Sequence, residues 1–273
     1  MFKFGALILG TFMLIGGNAV WAGGPNDGKE EICYRDSASE SYDETGTNSA
    51  TMESSTINYS SRTLDTHTLA LRYPTYDYSP AIGSCGAIGG GNLIGFFDRY
   101  DENLIPNHTS GKPFANTYLY SIEDTAVQAV IRELYDYMGT TTSGTTEKQF
   151  KDGITDFCND KGHSVTFSSC MQGSSFSYSK AQNYLDANQP IVLFLSGYNV
   201  IDLREYENED FRSIYTSAAN HIMISFGYMT YVYDGTNTYY YMAVSSGITG
   251  HSQGLYDINY KTKINNALAV SIS

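Results

Sequence analysis

Basic residues, cysteines and long apolar runs are all scarce in this chain of 273 residues. The chain has 16 Lys and Arg against 29 Asp and Glu, so its formal net charge is −13. A chain this acidic is not expected to bind nucleic acid or an anionic membrane surface through its overall charge. Beyond residue 22 no stretch is long and apolar enough to span a bilayer, so we expect no stable membrane insertion of the remainder.

The cysteines number only four, namely Cys33, Cys85, Cys158 and Cys170. They contain no C-x-x-C pair, which disfavours a structural zinc site, and we expect neither a metal nor a cofactor. If one thiol is chemically active, three remain, and the sequence leaves their pairing open. We consider three kinds of disulfide: Cys158 with Cys170, Cys33 with either of them, and Cys33 with Cys85. The last would make Cys85 unreactive.

The first 22 residues have the features of a secretory signal peptide. Lys3 supplies a positive charge, residues 4–17 are apolar, and Val20-Trp21-Ala22 offers a small-residue cleavage site. We therefore expect a secreted or periplasmic protein.

Residues 23–66 are rich in Ser, Thr, Asp, Glu and Asn and poor in aliphatic side chains. Such a segment buries too little apolar surface to offset the entropy lost on ordering. Its composition predicts a flexible acidic linker or propeptide, followed by one globular domain over residues 67–273.

Within that domain, helical patterns come first and strand patterns later. Helices are predicted over 86–100, 122–138, 147–161 and 180–187. The second carries a capping box formed by Ser121 and Asp124, and the third one formed by Thr146 and Gln149. Strands are predicted over 68–73, 191–196, 221–228, 231–233, 239–244 and 267–272, with a hairpin turn at Asp234-Gly235. This order predicts an α+β fold with an antiparallel sheet.

Cys85 is predicted to lie at the start of the first helix. Helix N-terminal N–H groups and the helix dipole favour a thiolate, and the same N–H groups can stabilise an oxyanion. Gly86, Gly89, Gly90 and Gly91 follow it. Because each glycine weakens a helix interior, their presence indicates very close packing there. A buried structural cysteine is the alternative interpretation.

His221 is the candidate base among five histidines. It heads the strand pattern of residues 221–228, in which Ile222, Ile224 and Phe226 share one face and His221 lies on the other. It follows Cys85 by 136 residues, within the roughly 130–150 typical of papain-type enzymes.

The run from Gly83 to Tyr100, followed by Asn103 to Pro106, resembles the nucleophile helix of bacterial papain-like cysteine peptidases. The group related to the bacteriocin-processing (double-glycine) peptidases is the most similar. Further blocks fit in order: residues 133–139, 144–146, 189–193 and 220–228. The resemblance implies a papain-like fold, with the nucleophile Cys85 at the N-terminus of a central helix packed on an antiparallel sheet. It also implies a thiolate–imidazolium pair with His221, acting on a peptide or protein substrate.

Two positions depart from that family's pattern. Ser79 stands where the family carries a glutamine that donates to the oxyanion. Ser246 stands near the position of the Asn or Asp that orients the histidine, and a serine can accept the imidazole N–H without bringing charge. Two alternatives therefore remain: an amidase or acyltransferase on the same fold, and an inactive papain-like module that binds a partner through its many tyrosines.

Overall fold

A computed structural model describes residues 32–34, 55–56, 60–69, 84–100, 103–115, 117–121, 124–201, 210–211, 213–248, 252–258 and 263–273. The predicted signal peptide, Ser79 and His251 lie outside these described residues. No helix among them is both long enough and apolar enough to cross a membrane.

Four helices lie in the described residues: α1 (Cys85–Asp98), α2 (Thr125–Tyr137), α3 (Glu147–Asp160) and α4 (Tyr178–Asp186). The strands described are β1 (Cys33–Tyr34), β2 (Ser55–Thr56), β3 (Arg62–Thr68), β4 (Lys112–Phe114), β5 (Thr117–Leu119), β6 (Thr145–Thr146), β7 (Val165–Ser169), β8 (Met171–Gln172), β9 (Ser175–Phe176), β10 (Ile191–Ile201), β11 (Asp210–Phe211), β12 (Ser213–Tyr233), β13 (Asn237–Ser245), β14 (Gln253–Asp257) and β15 (Lys263–Ile272).

Seven strands form the main sheet in the order β3-β12-β13-β14-β10-β15-β7, and every neighbouring pair is antiparallel. Strand β10 also pairs with β12, so β12, β13, β14 and β10 close into a ring. The predicted α+β class with an antiparallel sheet is confirmed. Each of these four strands contributes buried apolar side chains to the core, and the remaining strands extend the sheet.

Helix α1 is buried along its whole length, from Cys85 to Asp98. A helix that is apolar all round must be enclosed by other elements. One side meets β12, where the rings of Phe96 and Phe226 lie 5.4 Å apart, and another side meets α2. The close packing predicted from the glycines is confirmed: a Cβ on Gly91 would lie 2.2 Å from Cγ1 of Ile131 in α2.

Helices α2 and α3 begin at side-chain caps. Thr146 and Gln149 form the predicted reciprocal capping box of α3. The predicted start of α2 is wrong, because Asp124 is its N-cap and accepts from the N–H groups of Ala126 and Val127. The carboxylate satisfies two otherwise unpaired donors, and residues 122–123 lie outside the described residues.

The start of the globular domain predicted at His67 falls inside β3, so the fold begins earlier in the chain. Strand β3 pairs along its length with β12, from Thr68 opposite Gly227 to Arg62 opposite Tyr233. Almost all of its side chains are exposed or half-buried, because an edge strand is held by backbone hydrogen bonds and polar side chains suit its position. This polarity is why the segment resembles a linker in sequence. Within residues 23–66, Cys33–Tyr34 and Ser55–Thr56 also pair as strands.

We expect Gly91→Ala to destabilise the protein, although alanine is the better helix former by about 1 kcal/mol. The added methyl would overlap Ile131, and overpacking of a filled core costs about 1–3 kcal/mol. Denaturant unfolding of Gly91→Ala, Ile131→Ala and the double variant measures the coupling. The double variant should be more stable than the sum of the two single effects predicts. An increase in stability in Gly91→Ala alone would contradict the packing interpretation.

Candidate active site

Cys85 is the first residue of α1, as the sequence predicts, and its side chain is 1% exposed. The first backbone bond of the helix runs from the N–H of Ile88 to the carbonyl of Ser84. The N–H groups of the first turn lie before that bond and have no acceptor within the helix. They surround Cys85 with partial positive charge, which suits a thiolate or an oxyanion.

The helix start is pressed against β6. A Cβ on Gly86 would lie 2.8 Å from both Cβ and Oγ1 of Thr145, so no larger residue fits there without displacing Thr145. The Thr145 hydroxyl in turn lies 2.9 Å from that of Thr140. This contact fixes the position of the first turn of α1 against the strand that precedes α3.

His221 lies in β12 and is completely buried. Its Nε2 is 2.6 Å from the backbone carbonyl oxygen of Ser246. Because a carbonyl oxygen only accepts hydrogen bonds, Nε2 carries the proton, and Nδ1 is the basic nitrogen of the neutral ring. The ring of Tyr198 lies beside the imidazole, with centroids 4.9 Å apart. The orientation and tautomer of His221 are therefore set by neighbouring groups.

Ser246 meets His221 through a different atom from the one predicted. The sequence suggested its hydroxyl, but the 2.6 Å contact is made by the backbone carbonyl. The hydroxyl accepts from the N–H of Ile248, which shapes the turn after β13. A backbone oxygen can orient the ring without any particular side chain, so the absence of Asn or Asp at this position does not prevent it.

Two contacts connect the surroundings of His221 with the first turns of α1. A Cβ on Gly247, which follows Ser246, would lie 3.3 Å from Cγ2 of Ile88. A Cβ on Gly89 would lie 3.5 Å from Cγ2 of Ile222. Strand alternation directs Ile222 toward α1 and His221, the residue before it, to the opposite face of β12. The ring position depends instead on Ser246, at the point where pairing of β12 with β13 ends at Ile224 and Ser245.

A polar cluster that was not predicted from the sequence lies next to this site. Asn265 Nδ2 lies 3.2 Å from the Tyr34 hydroxyl and 2.7 Å from the Ser196 hydroxyl. Ser196 donates to the side-chain oxygen of Asn220, and the amide nitrogen of Asn220 donates to the carbonyl of Cys33. The only sign of this cluster in the sequence is that Asn220 directly precedes His221. Tyr34 and Cys33 belong to the segment that composition predicted to be a linker.

Two of the remaining cysteines, Cys158 and Cys170, are buried and are not expected to compete with Cys85 as a reactive group. No disulfide joins any of the four cysteines, so none of the pairings considered from the sequence is formed. Burial raises the pKa of the Cys158 thiol to about 12 and that of Cys170 to about 11. Both therefore stay protonated near neutral pH, whereas Cys33 is exposed.

The other described histidines have separate contacts. His108 Nε2 lies 2.9 Å from a carboxylate oxygen of Asp124, and His67 stacks on the ring of Tyr228. The backbone N–H of His163 donates to the carbonyl of Cys158. Within the described ranges, no group of three or more His, Cys, Asp or Glu side chains could hold a metal ion.

Comparison with family models, with curated proteins and with solved structures finds no match for this chain. The functional assignment therefore rests on the residues and on the geometry described above.

We expect Cys158 and Cys170 to resist iodoacetamide at pH 8 in the folded chain, while Cys33 reacts. With their raised pKa values, at most about one in 10³ of these buried thiols is ionised at that pH. Peptide mapping by mass spectrometry before and after unfolding in guanidinium checks this, with Cys33→Ser as the control that identifies the exposed site. Labelling of Cys158 at the rate of Cys33 without unfolding would contradict the burial.

Proposed function

We propose that this protein is an exported cysteine peptidase of papain-like architecture that hydrolyses peptide bonds. Cys85 is the nucleophile and His221 is its base. The observation that carries the proposal is the bond from His221 Nε2 to the Ser246 carbonyl. It assigns the proton to Nε2 and leaves Nδ1 able to accept one. In the proposal, that proton comes from the Cys85 thiol.

In the proposed reaction the Cys85 proton passes to His221 Nδ1, and the thiolate attacks the carbonyl carbon of the scissile bond. The negative charge that develops on the carbonyl oxygen is stabilised by N–H groups of the first turn of α1. Removing one such donor typically slows turnover by about 10²–10³. His221 returns its proton to the amine as the C–N bond breaks. Water, deprotonated by His221, then releases the acyl group and restores the thiol.

The Ser246 carbonyl has a defined part in this cycle. When His221 holds two protons, the carbonyl still accepts from Nε2, so the ring does not turn as it gains and loses the Nδ1 proton. It adds no formal charge, in contrast to an aspartate. Ser79, at the position of the family's oxyanion donor, lies outside the described residues and stays a prediction in that role.

The cellular setting follows from the sequence. Residues 1–22 have the pattern of a secretory signal, so we place the enzyme in the periplasm or outside the cell. Its substrate is a peptide or protein.

We expect Cys85→Ala and His221→Ala each to reduce hydrolysis of a mixed peptide library by at least about 10³-fold, because the pair acts as one unit. His163→Ala serves as the matched control, since His163 is also buried and has no part in the proposed reaction. Circular dichroism must show that all three variants are folded. Retained activity in folded Cys85→Ala would exclude Cys85 as the nucleophile, and an inactive folded His163→Ala would undermine the choice of base.

The pH dependence of Cys85 alkylation tests the ion pair without a known substrate. A thiol of ordinary acidity, with a pKa of about 8.5, loses about 10²-fold in thiolate between pH 8.5 and pH 6. A thiolate paired with an imidazolium persists over that range, so the alkylation rate at pH 6 should stay within about tenfold of the rate at pH 8.5. Burial slows labelling at both pH values and leaves their ratio unchanged.

In His221→Ala, the ratio of the Cys85 alkylation rate at pH 8.5 to the rate at pH 6 should become that of an ordinary thiol, about 10². An ordinary-thiol profile already in the unsubstituted protein would instead favour the inactive binding module.

A further inference from the structure

The short strand β1 contacts a chain neighbour of His221 and a residue packed against a chain neighbour of Cys85, in an extended conformation such as a bound peptide would have. It pairs antiparallel with β6, with Cys33 opposite Thr146 and Tyr34 opposite Thr145. This pair forms a two-stranded sheet of its own, separate from the seven-stranded sheet. Adding an extended strand to an exposed edge is a common mode of peptide recognition, in which backbone hydrogen bonds hold the strand and a pocket selects a side chain.

The contacts of β1 reach the immediate neighbours of Cys85 and His221. Thr145, opposite Tyr34, is the residue packed against Gly86, which follows Cys85. Asn220, which precedes His221, donates its amide N–H to the Cys33 carbonyl at 3.1 Å. Burial raises the pKa of Tyr34 to about 12; the hydrogen bond from Asn265 acts against this increase, and the charges of Glu147 and Cys85 add to it.

Tyr34 occupies a pocket with both an apolar and a polar wall. Its side chain is 2% exposed, and its ring lies 5.3 Å from that of Phe194. At the far end, Asn265 Nδ2 donates to the hydroxyl oxygen at 3.2 Å and is anchored by the Ser196 hydroxyl. A pocket that hydrogen-bonds a hydroxyl discriminates against a ligand that lacks it, because its buried polar group is then left unpaired. Ile32, two residues before Tyr34, is 39% exposed. Of these two side chains, the tyrosine is therefore the one that the site can select.

We infer that Cys33 and Tyr34 hold the place of a substrate strand, and that the site binds extended peptides carrying a tyrosine at the position of Tyr34. The chain's own segment is then a tethered occupant that must leave before such a peptide enters. A tether gives an effective concentration of roughly millimolar, so the segment competes strongly with free peptide. That the bound peptide is a substrate rests on the proposed function; the binding itself does not.

The test uses the full chain carrying Cys85→Ala, so that turnover plays no part, with Tyr34→Ala added to vacate the pocket. The probe is the hexapeptide Glu-Ile-Ser-Tyr-Arg-Asp, which copies residues 31–36 with serine in place of Cys33. Matched peptides carry Phe or Ala in place of the tyrosine, and calorimetry measures the affinities. We expect the Tyr peptide to bind about tenfold more tightly than the Phe peptide, and the Ala peptide to bind at least tenfold more weakly again.

Two control variants sharpen the result. With Tyr34 retained, the Tyr peptide should bind at least tenfold more weakly, because the tethered segment occupies the site. With Asn265→Ala added to the vacated chain, the preference for Tyr over Phe should disappear. A folded Tyr34→Ala chain that binds none of the peptides, or binds all three equally, would overturn the inference and identify Tyr34 as an ordinary core residue.

If Tyr34→Ala fails to fold, a protease site inserted between residues 40 and 50 decides the matter. After cutting, the piece that carries Tyr34 should exchange with fluorescently labelled Tyr peptide while the rest of the chain stays folded by circular dichroism. A remainder that unfolds when the piece is removed would overturn the inference. Peptide binding without any hydrolysis by the unsubstituted protein would reject the proposed peptidase and retain the tyrosine site, whereas hydrolysis without tyrosine preference would do the reverse.

Discussion

The structure depends on the close approach of the fully buried helix α1 to its neighbours. Glycines at its first turns allow Thr145 and Ile131 to come within a distance that no Cβ would permit. This contact holds Cys85 at the junction of α1, β6 and the turn after β13. Interiors packed at this density have little freedom to shift, so the helix start is a rigid platform. Groups arranged there need no reorganisation during a reaction, which is the condition for electrostatic stabilisation of charge.

The histidine side of the candidate site is held by backbone rather than by a dedicated side chain. The Ser246 carbonyl accepts from His221 Nε2, and the position of that carbonyl follows from the end of β12–β13 pairing at Ser245. A turn can supply this acceptor whatever its side chains are. His221 therefore has an orienting acceptor although residue 246 is neither Asn nor Asp.

The composition of residues 23–66 predicts a flexible linker, but the described parts of this segment belong to the folded structure. Its described parts join the fold through backbone pairing and one deeply inserted aromatic side chain, Tyr34. A polar segment of this kind gains little from burial of its own surface. Its strands pair with partners that lie more than a hundred residues away in sequence, such as Thr145 and Tyr231. In residues 32–34 only Tyr34 is buried, so the proposed release of this strand would remove one side chain from the core.

The sequence by itself determined what depends on local chemistry. Four features can be predicted from a few neighbouring residues each. They are the cap of α3 at Thr146, the placement of Cys85 at a helix start, the alternation that turns Ile222 and Ile224 toward α1, and the turn at Asp234-Gly235. Only the tertiary structure decided the rest: β3 as a polar edge strand, Tyr34 in its pocket beside Asn265, and the carbonyl rather than the hydroxyl of Ser246 on His221. These features are formed by backbone groups and distant partners. Every residue carries the same backbone N–H and C=O, proline's missing N–H aside, so side-chain identity does not reveal which of them will meet.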